Sequence, residues 1–170
     1  MSRISRRALF FGASAAAMAG CSADAQQGRY PGSAPERRYA NSPFRTLTPA
    51  QWRERLSPEA FRVLRREGTE RAGTSPLDRE RRRGTYVCAG CALPLFRSQD
   101  KYNSGTGWPS FRRGIPGALG TYDDNSLFGR RIAYRCAQCL GHQGHVFEDG
   151  PPPTGQRWCN NGVALRFVPA

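Results

Sequence analysis

Cys88-Ala-Gly-Cys91 and Cys136-Ala-Gln-Cys139 are the two stretches that decide how this 170-residue chain folds. Each leaves two residues between its thiols and follows a β-favouring run, so each pair is expected in a tight turn. One such pair can be a redox dithiol, but two pairs make the ligand set of a tetrahedral zinc site. Because residues 92–135 separate the pairs, an entire subdomain must lie between them.

The alternative to a metal site is a pair of disulfides, which export to an oxidising compartment would permit. Zinc is favoured, because a disulfide across a two-residue gap is usually a redox motif rather than a structural cross-link. Four thiolates leave no open position on the ion, so the expected role is structural. One zinc ion would join two distant hairpins and stabilise a Gly-rich domain.

The chain from Gly84 onward consists of short β-favouring runs separated by Gly, Pro, Asn and Asp turns. The connections are too short for parallel crossovers, so the strands are expected to be antiparallel. The prediction is an α+β domain that is mostly β. The candidate strands are residues 85–87, 131–134, 145–147, 156–158 and 163–168.

Two short helices are predicted at the start of this domain. Thr48-Pro49 and Ser57-Pro58 each combine an N-cap with proline at the first helical position. Apolar residues at helical spacing then predict helices over 49–56 and 58–66, with Gly68 ending the second.

Residues 1–25 have the layout of an export signal. Three arginines, including Arg6-Arg7, precede an uncharged stretch, an arrangement that resembles a twin-arginine signal. Cleavage after Ala25 would release a soluble protein. Alternatively, the sequence before Cys21 resembles a lipobox, in which Cys21 would be acylated. The protein is therefore expected to be exported, either periplasmic or a membrane-anchored lipoprotein.

A polar, Gly/Pro-rich segment over residues 26–45 follows the signal and is interpreted as a linker. The remaining chain, residues 46–168, has the length of a single domain. No apolar run reaches the roughly 18 residues that a membrane span needs. A possible lipid anchor at Cys21 is thus the one expected membrane contact.

Cys159 remains once four cysteines are assigned to a metal and Cys21 to the signal region. A lone cysteine is more often a small buried apolar residue than a nucleophile. The catalytic interpretation gains weight from Arg157, which could lower the thiol pKa, and from His142 and His145, the two histidines of the chain. From these residues alone, a structural and a catalytic role are equally supported.

The loop Ser104-Gly-Thr-Gly-Trp-Pro-Ser-Phe111 brackets an aromatic residue with two glycines and a proline. Trp108 could anchor the loop by packing, or it could form one side of an apolar pocket.

Four ordered motifs carry a specific resemblance: Tyr86–Cys91 with Pro94–Phe96, Ser104–Phe111, Gly144–Pro151, and Arg157–Asn161 with Leu165–Phe167. Together they resemble the B-type peptide-methionine (R)-S-oxide reductases, from about Thr46 to Phe167. The resemblance implies two antiparallel sheets in a tent-like arrangement, with a zinc site joining two hairpins. It also implies reduction of the R epimer of methionine sulfoxide, free or within proteins.

The resemblance assigns roles residue by residue. The nucleophile position falls on Cys159 and the zinc ligands on Cys88, Cys91, Cys136 and Cys139. Attack on the sulfoxide sulfur would leave methionine and a sulfenic acid on Cys159. The candidate proton donors are His145 and His142, because imidazole titrates near neutral pH. The other implied site residues are Asn161 and Arg157, which would orient groups around the sulfur, and Trp108 and Phe147, which would bind substrate.

Several positions depart from the family pattern. Gln143 and Asn160 stand where the family commonly has aliphatic residues, and Gly162 replaces a frequent serine. Thr106 occupies the position at which many members have a resolving cysteine. We therefore expect a one-cysteine cycle, in which an external thiol, such as that of an exported thioredoxin-like protein, reduces the sulfenic acid.

Composition leaves two rival classes. Lys and Arg total 26 against 13 acids, a net charge of +13, which with paired cysteines suggests a zinc-ribbon nucleic-acid module. Against that class, the arginines are scattered, the export signal separates the protein from nucleic acid, and neither Cys159 nor Trp108 is needed. The second rival is an exported, zinc-stabilised binding domain without catalysis. The 38% hydrophobic content excludes wholesale disorder.

Overall fold

A computed structural model gives the fold and describes residues 34–125 and 129–170. The predicted export signal, with Cys21, lies outside the described residues. Within the described ranges, no helix is both long and apolar enough to cross a membrane. The described chain forms two antiparallel sheets and a few short helices, which confirms the predicted mostly β, α+β class.

The helices precede the sheets: α1 (Ala34–Arg37), α2 (Pro49–Arg55) and α3 (Pro58–Arg66). A capping box begins α2, since the Thr48 hydroxyl accepts from the Gln51 N–H while the Gln51 side chain accepts from the Thr48 N–H. The predicted bounds of α2 and α3 agree with the structure to within a residue.

One detail of α3 differs from expectation. Glu67, rather than Gly68, adopts the left-handed conformation after the helix, with φ of 55°. The Gly68 N–H then donates to the carbonyl of Arg62, which closes the helix end.

The smaller sheet has three strands in the order β2-β1-β9. They are β1 (Gly84–Cys88), β2 (Pro94–Arg97) and β9 (Leu165–Pro169). β1 and β2 form a hairpin whose turn contains the first cysteine pair.

The larger sheet has six strands in the order β3-β4-β8-β7-β6-β5. The hairpin of β6 and β7 contains the second cysteine pair in its turn. The strands are β3 (Lys101–Tyr102), β4 (Ser110–Phe111), β5 (Leu119–Asp124), β6 (Arg131–Cys136), β7 (His142–Phe147) and β8 (Arg157–Asn160).

Aromatic side chains from both sheets fill the core. Phe96 of β2 stacks on Phe111 of β4, with ring centroids 4.1 Å apart. Tyr86 of β1 contacts the same Phe111 ring edge-on at 4.9 Å. In the larger sheet, Tyr134 packs edge-on against Trp158 at 4.9 Å. Offset and edge-to-face pairs of this kind stabilise the contact beyond area burial.

Part of the segment interpreted as a linker packs on the domain. Glu36 of α1 is buried and forms a two-point ion pair with Arg135, at 2.7 and 2.9 Å. Arg45 donates to the carbonyls of Ala137 and Gln138, in the turn of the second cysteine pair. Polar contacts with residues distant in the sequence therefore hold residues 34–45 against the domain. Such contacts produce no hydrophobic periodicity, so this packing was not apparent from the sequence.

Candidate active site and candidate metal centre

The four paired cysteines meet at the junction of the two sheets. Their Sγ atoms all lie within 4.8 Å of one another. Cys88 and Cys139 are 3.6 Å apart, and Cys91 and Cys136 are 3.5 Å apart. Four sulfurs at 2.3 Å from a tetrahedral ion are about 3.8 Å apart, so the cluster has the size of a zinc site. All four are free cysteines, because these distances far exceed a disulfide bond.

Two turns of the same design present these sulfurs. Each first cysteine ends a strand, and its carbonyl accepts from the N–H four residues later, that of Ala92 or Leu140. Both of those residues have left-handed backbones, with φ of 63° and 59°. The equivalent turns direct two sulfurs each toward one point.

Hydrogen bonds among the four thiols shift their pKa values in opposite directions. Hydrogen bonds from Cys136, Cys139 and Cys91 hold the pKa of Cys88 well below its ordinary value. The hydrogen bonds with Cys139 and Cys88 raise the pKa of Cys136. One thiolate is thus favoured and further thiolates are opposed, and a bound metal ion would supply the positive charge that stabilises all four. The chemistry of the donor set therefore fits a metal ion.

Cys159 lies on β8, in the middle of the larger sheet. It is opposite His145 of β7 on one side and Ser110 of β4 on the other. Residues directly opposite in antiparallel strands share a face, so the three side chains are grouped. Close approach of β7 and β8 requires glycine at 144, because a Cβ there would collide with the Cys159 carbonyl oxygen.

Hydroxyl groups and a guanidinium surround the Cys159 thiol. Burial raises its pKa, although the Arg157 charge and hydrogen bonds from Thr106, Arg157 and Ser110 oppose the rise. The Ser104 hydroxyl connects the hydroxyls of Thr106 and Ser110, since it lies 2.8 Å from each of them. At rest, Cys159 is therefore a protonated thiol whose thiolate has donors already in place.

Arg157 is oriented from two sides. Its Nε and Nη2 donate to the two carboxylate oxygens of Asp149, at 2.7 and 2.8 Å. Its guanidinium carbon lies 4.3 Å from the centroid of the Phe147 ring. The carboxylate and the ring face restrict the guanidinium to the position from which it contacts Cys159.

His145 is paired with a carboxylate that the sequence did not reveal. Its Nε2 is 2.7 Å from Asp124 Oδ2, and the same oxygen accepts from Arg131 Nη2 at 2.7 Å. Burial lowers the pKa of His145, while the hydrogen bond with Asp124 opposes that effect. The carboxylate orients the ring and stabilises its protonated form, which is how an acid–base histidine is prepared.

His142 lies behind His145 rather than in the cavity. Its Nδ1 is 2.9 Å from the Tyr122 hydroxyl, and its ring centroid is 5.5 Å from that of His145. Burial lowers its pKa to about 4, and the nearby His145 adds to the shift. His142 is thus a neutral, buried ring at working pH.

A cavity of about 110 Å³ opens beside Cys159. His142 and Arg157 do not line it, whereas the other five predicted residues outside the metal cluster do: Cys159, His145, Trp108, Phe147 and Asn161. Thr69 and Arg131, which the sequence analysis missed, also line it. The fold therefore brings five of the seven predicted residues together at one cavity, with Arg157 beside Cys159 and His142 behind His145.

Glu70 fixes the aromatic and amide sides of this cavity. Its carbonyl accepts from Trp108 Nε1 at 3.1 Å, and its N–H donates to Asn161 Oδ1 at 2.9 Å. Its carboxylate accepts from the N–H groups of Gly162 and Val163. Because Glu70 precedes the first strand and belongs to no local motif, the sequence offered no sign of this role.

Fold and site together define a class: a small β domain with a four-cysteine cluster that could hold a metal ion and a separate free thiol beside an aromatic-lined cavity. The sequence model of the SelR domain family matches residues 56–169. The chain therefore belongs to the SelR domain family.

Curated relatives agree. Peptide methionine sulfoxide reductase MsrB of Agrobacterium fabrum is 46% identical over 129 residues, 75% of this chain and 96% of that protein. The protein of the same name from Methanosarcina mazei is 49% identical over 69% of this chain and 84% of its own length. The one from Thiobacillus denitrificans is 47% identical over 72% of this chain and 93% of its own length.

Proposed function

We propose that this protein reduces the R epimer of methionine sulfoxide, free or in proteins, with Cys159 as the nucleophile. The observation that supports it is the free Cys159 thiol beside the Asp124–His145 pair, at a cavity lined by Trp108 and Phe147. Membership of the SelR family supports the same activity. Neither rival class, a binding domain or a nucleic-acid module, accounts for this arrangement.

The reaction begins with a proton leaving a thiol whose pKa is raised. His145, held by Asp124, accepts the Cys159 proton and becomes an imidazolium that the carboxylate stabilises. The thiolate attacks the sulfoxide sulfur while the imidazolium protonates its oxygen. The protonated oxygen then transfers from the substrate sulfur to the Cys159 sulfur, and the S–S bond formed by the attack breaks with the substrate S–O bond. The thiol is thereby oxidised to a sulfenic acid and the sulfoxide is reduced to methionine.

Substrate selection rests on the residues around the cavity. Trp108 and Phe147 offer aromatic surfaces for the substrate methyl group, and sulfur–aromatic contacts are favourable. Asn161, fixed by Glu70, and Arg157 present polar groups near the reacting sulfur. With the substrate methyl group held by the aromatic residues, the sulfoxide oxygen must point toward the proton donor His145. Only one of the two epimers can place both groups in this way.

Return to the thiol requires an external reductant. Among the described cysteines, the four other than Cys159 lie in the metal cluster. Thr106, next to Cys159, supplies a hydroxyl where a second thiol would be needed for an internal disulfide. An external thiol, which we take to be that of a thioredoxin-like protein, attacks the sulfenic acid, releasing water and forming a mixed disulfide with Cys159. The second thiol of the reductant then cleaves this disulfide and returns Cys159 to the thiol, leaving the reductant oxidised.

We take the bound metal to be zinc. Cys88, Cys91, Cys136 and Cys139 would hold it, and when bound it supplies folding free energy by joining the two sheets. Export to the periplasm, with cleavage after Ala25 or acylation of Cys21, is supported by the sequence layout alone. The intact mass of the mature protein distinguishes the two outcomes.

The activity is tested with separated R and S epimers of a methionine sulfoxide peptide. Wild-type protein should turn over the R epimer only, and Cys159→Ser should abolish turnover. Cys91→Ser is the matched control, because it removes a cluster thiol and should weaken metal binding while a folded fraction keeps its chemistry. Turnover by the Cys159→Ser variant would overturn the assignment of the nucleophile.

A further inference from the structure

Two fully buried amide side chains, one on β7 and one on β8, connect the cysteine cluster with the strand that carries Cys159. Gln143 and Asn160 are both 0% exposed. They are also two of the positions at which the family resemblance leads to an expectation of aliphatic residues. A buried amide without partners would be destabilising, so the hydrogen bonds of these two side chains define their role.

Gln143 is directed into the core by a β-bulge. Between the pairs Tyr134–Gly144 and Arg135–His142, β7 advances two residues while β6 advances one. Gln143 is the extra residue, and a bulge of this kind re-aims a side chain. Its Nε2 lies 3.5 Å from Sγ of Cys88, within the range of an N–H···S hydrogen bond.

The hydrogen bonds run in one direction. The Tyr134 hydroxyl donates to Asn160 Oδ1 at 2.8 Å. Asn160 Nδ2 donates to Gln143 Oε1 across a long 3.4 Å contact. Because Gln143 Oε1 accepts there, its NH₂ group must face Cys88. Each donor thus points toward the sulfur, and such chains polarise cooperatively.

The same residues hold the segment that follows Cys159. Asn160 Nδ2 also donates to the Asn161 carbonyl at 2.7 Å. The backbone carbonyl of Gln143 accepts from both the N–H and the Nδ2 of Asn161, at 2.8 and 2.9 Å. Asn161 lines the cavity, so one continuous network reaches from a metal ligand to the active site.

We propose that Gln143 is an outer-sphere hydrogen-bond donor to the Cys88 thiolate, aligned by Asn160 and Tyr134, and that it stabilises the metal-bound state. An N–H···S hydrogen bond stabilises the negative charge on a thiolate ligand and so favours the metal-bound cluster. Outer-sphere partners of metal ligands contribute about 10- to 100-fold in metal affinity.

The test compares metal binding in wild-type protein, Gln143→Leu and the triple variant Gln143→Leu/Asn160→Val/Tyr134→Phe. The triple variant replaces the whole polar chain by side chains of similar size and leaves none of its members unpaired. Zinc transfer to a chromogenic chelator should be about tenfold faster in both variants. With Co²⁺ in place of zinc, the sulfur-to-cobalt charge-transfer bands should shift in both, whereas thermal stability should fall mainly in the single variant.

Gln138→Leu is the matched control, since it makes the same amide-to-leucine change within the turn of Cys136 and Cys139. It should keep the wild-type cobalt spectrum and zinc transfer rate. A wild-type spectrum and rate in the triple variant would overturn the proposal, even if Gln143→Leu alone failed to fold. A wild-type protein that bound neither Zn²⁺ nor Co²⁺ would overturn it together with the metal assignment, whatever the activity on sulfoxides.

Discussion

Replacing Arg157 by methionine tests the electrostatic account of the Cys159 thiol. Burial holds the pKa of this thiol above its ordinary value, and Arg157 opposes burial through its charge and a hydrogen bond. Methionine has a similar length and apolar volume, and it can still pack on the Phe147 ring that the guanidinium now covers at 4.3 Å. The variant therefore removes charge and donor with little change in packing.

The size of the effect follows from the lost hydrogen bond. A hydrogen bond to a charged group contributes about 1.5–3 kcal/mol, so its loss should lower the ratio of thiolate to thiol at Cys159 by about 10- to 100-fold. Because burial keeps the thiol mostly protonated at neutral pH, the thiolate fraction should fall by the same factor. Alkylation at pH 7 should slow by about 10- to 100-fold.

The assay is the pH dependence of iodoacetamide alkylation of Cys159, followed by mass spectrometry of the peptide that contains it. The matched control is Arg135→Met, because Arg135 makes the same two-point ion pair, with Glu36, elsewhere on the sheet. The control should reproduce the wild-type profile. A wild-type profile for Arg157→Met would refute the claim that Arg157 stabilises the thiolate.

Three further perturbations address the hydroxyl, the carboxylate and the buried histidine. Thr106→Cys places a thiol where a hydroxyl now bonds the sulfur, so one turnover should yield an internal disulfide with Cys159; a persistent sulfenic acid would contradict this geometry. Asp124→Asn removes the interaction that raises the His145 pKa, so kcat should fall at least tenfold and the corresponding limb of its pH profile should move to lower pH. His142→Gln should make unfolding less acid-sensitive. With a pKa of about 4 in the folded state against 6.5 unfolded, only the unfolded chain binds this proton between those values, and stability falls as pH falls. Between pH 7 and pH 4, urea titrations should show that the free energy of unfolding of the variant falls by about 3 kcal/mol less than that of wild type. Equal falls in both proteins would show that His142 does not have a lowered pKa in the folded state.

The local features were predictable from sequence because their causes are local. Capping residues and N1 prolines define α2 and α3, and the two Cys-x-x-Cys turns define the metal cluster. The strands β2, β3, β4 and β5 were not among those predicted, and β3 and β4 have only two residues each and therefore no period. They exist through pairing, since β4 is hydrogen-bonded to β8 and β3 to β4.

The sequence pointed to the candidate site residues that lie within motifs, but it did not point to the residues that form hydrogen bonds with them. Asp124 contacts His145 because the β5, β6 and β7 meander brings the end of β5 within reach of a side chain on β7, which no spacing in the sequence reveals. The bulge at Gln143 has the same origin, since a register shift depends on both strands. Gly162, which departs from the family pattern, has a packing reason: a side chain there would collide with Ser75.

Single-turnover analysis of Cys159 tests the central claim most directly. Reduced protein is mixed with one equivalent of the R sulfoxide peptide and no reductant, then treated with dimedone and analysed by mass spectrometry. The account predicts one equivalent of methionine peptide and a dimedone adduct on Cys159, with the four cluster cysteines unmodified. Methionine formed without an adduct on Cys159, or with a disulfide to that residue, would contradict it.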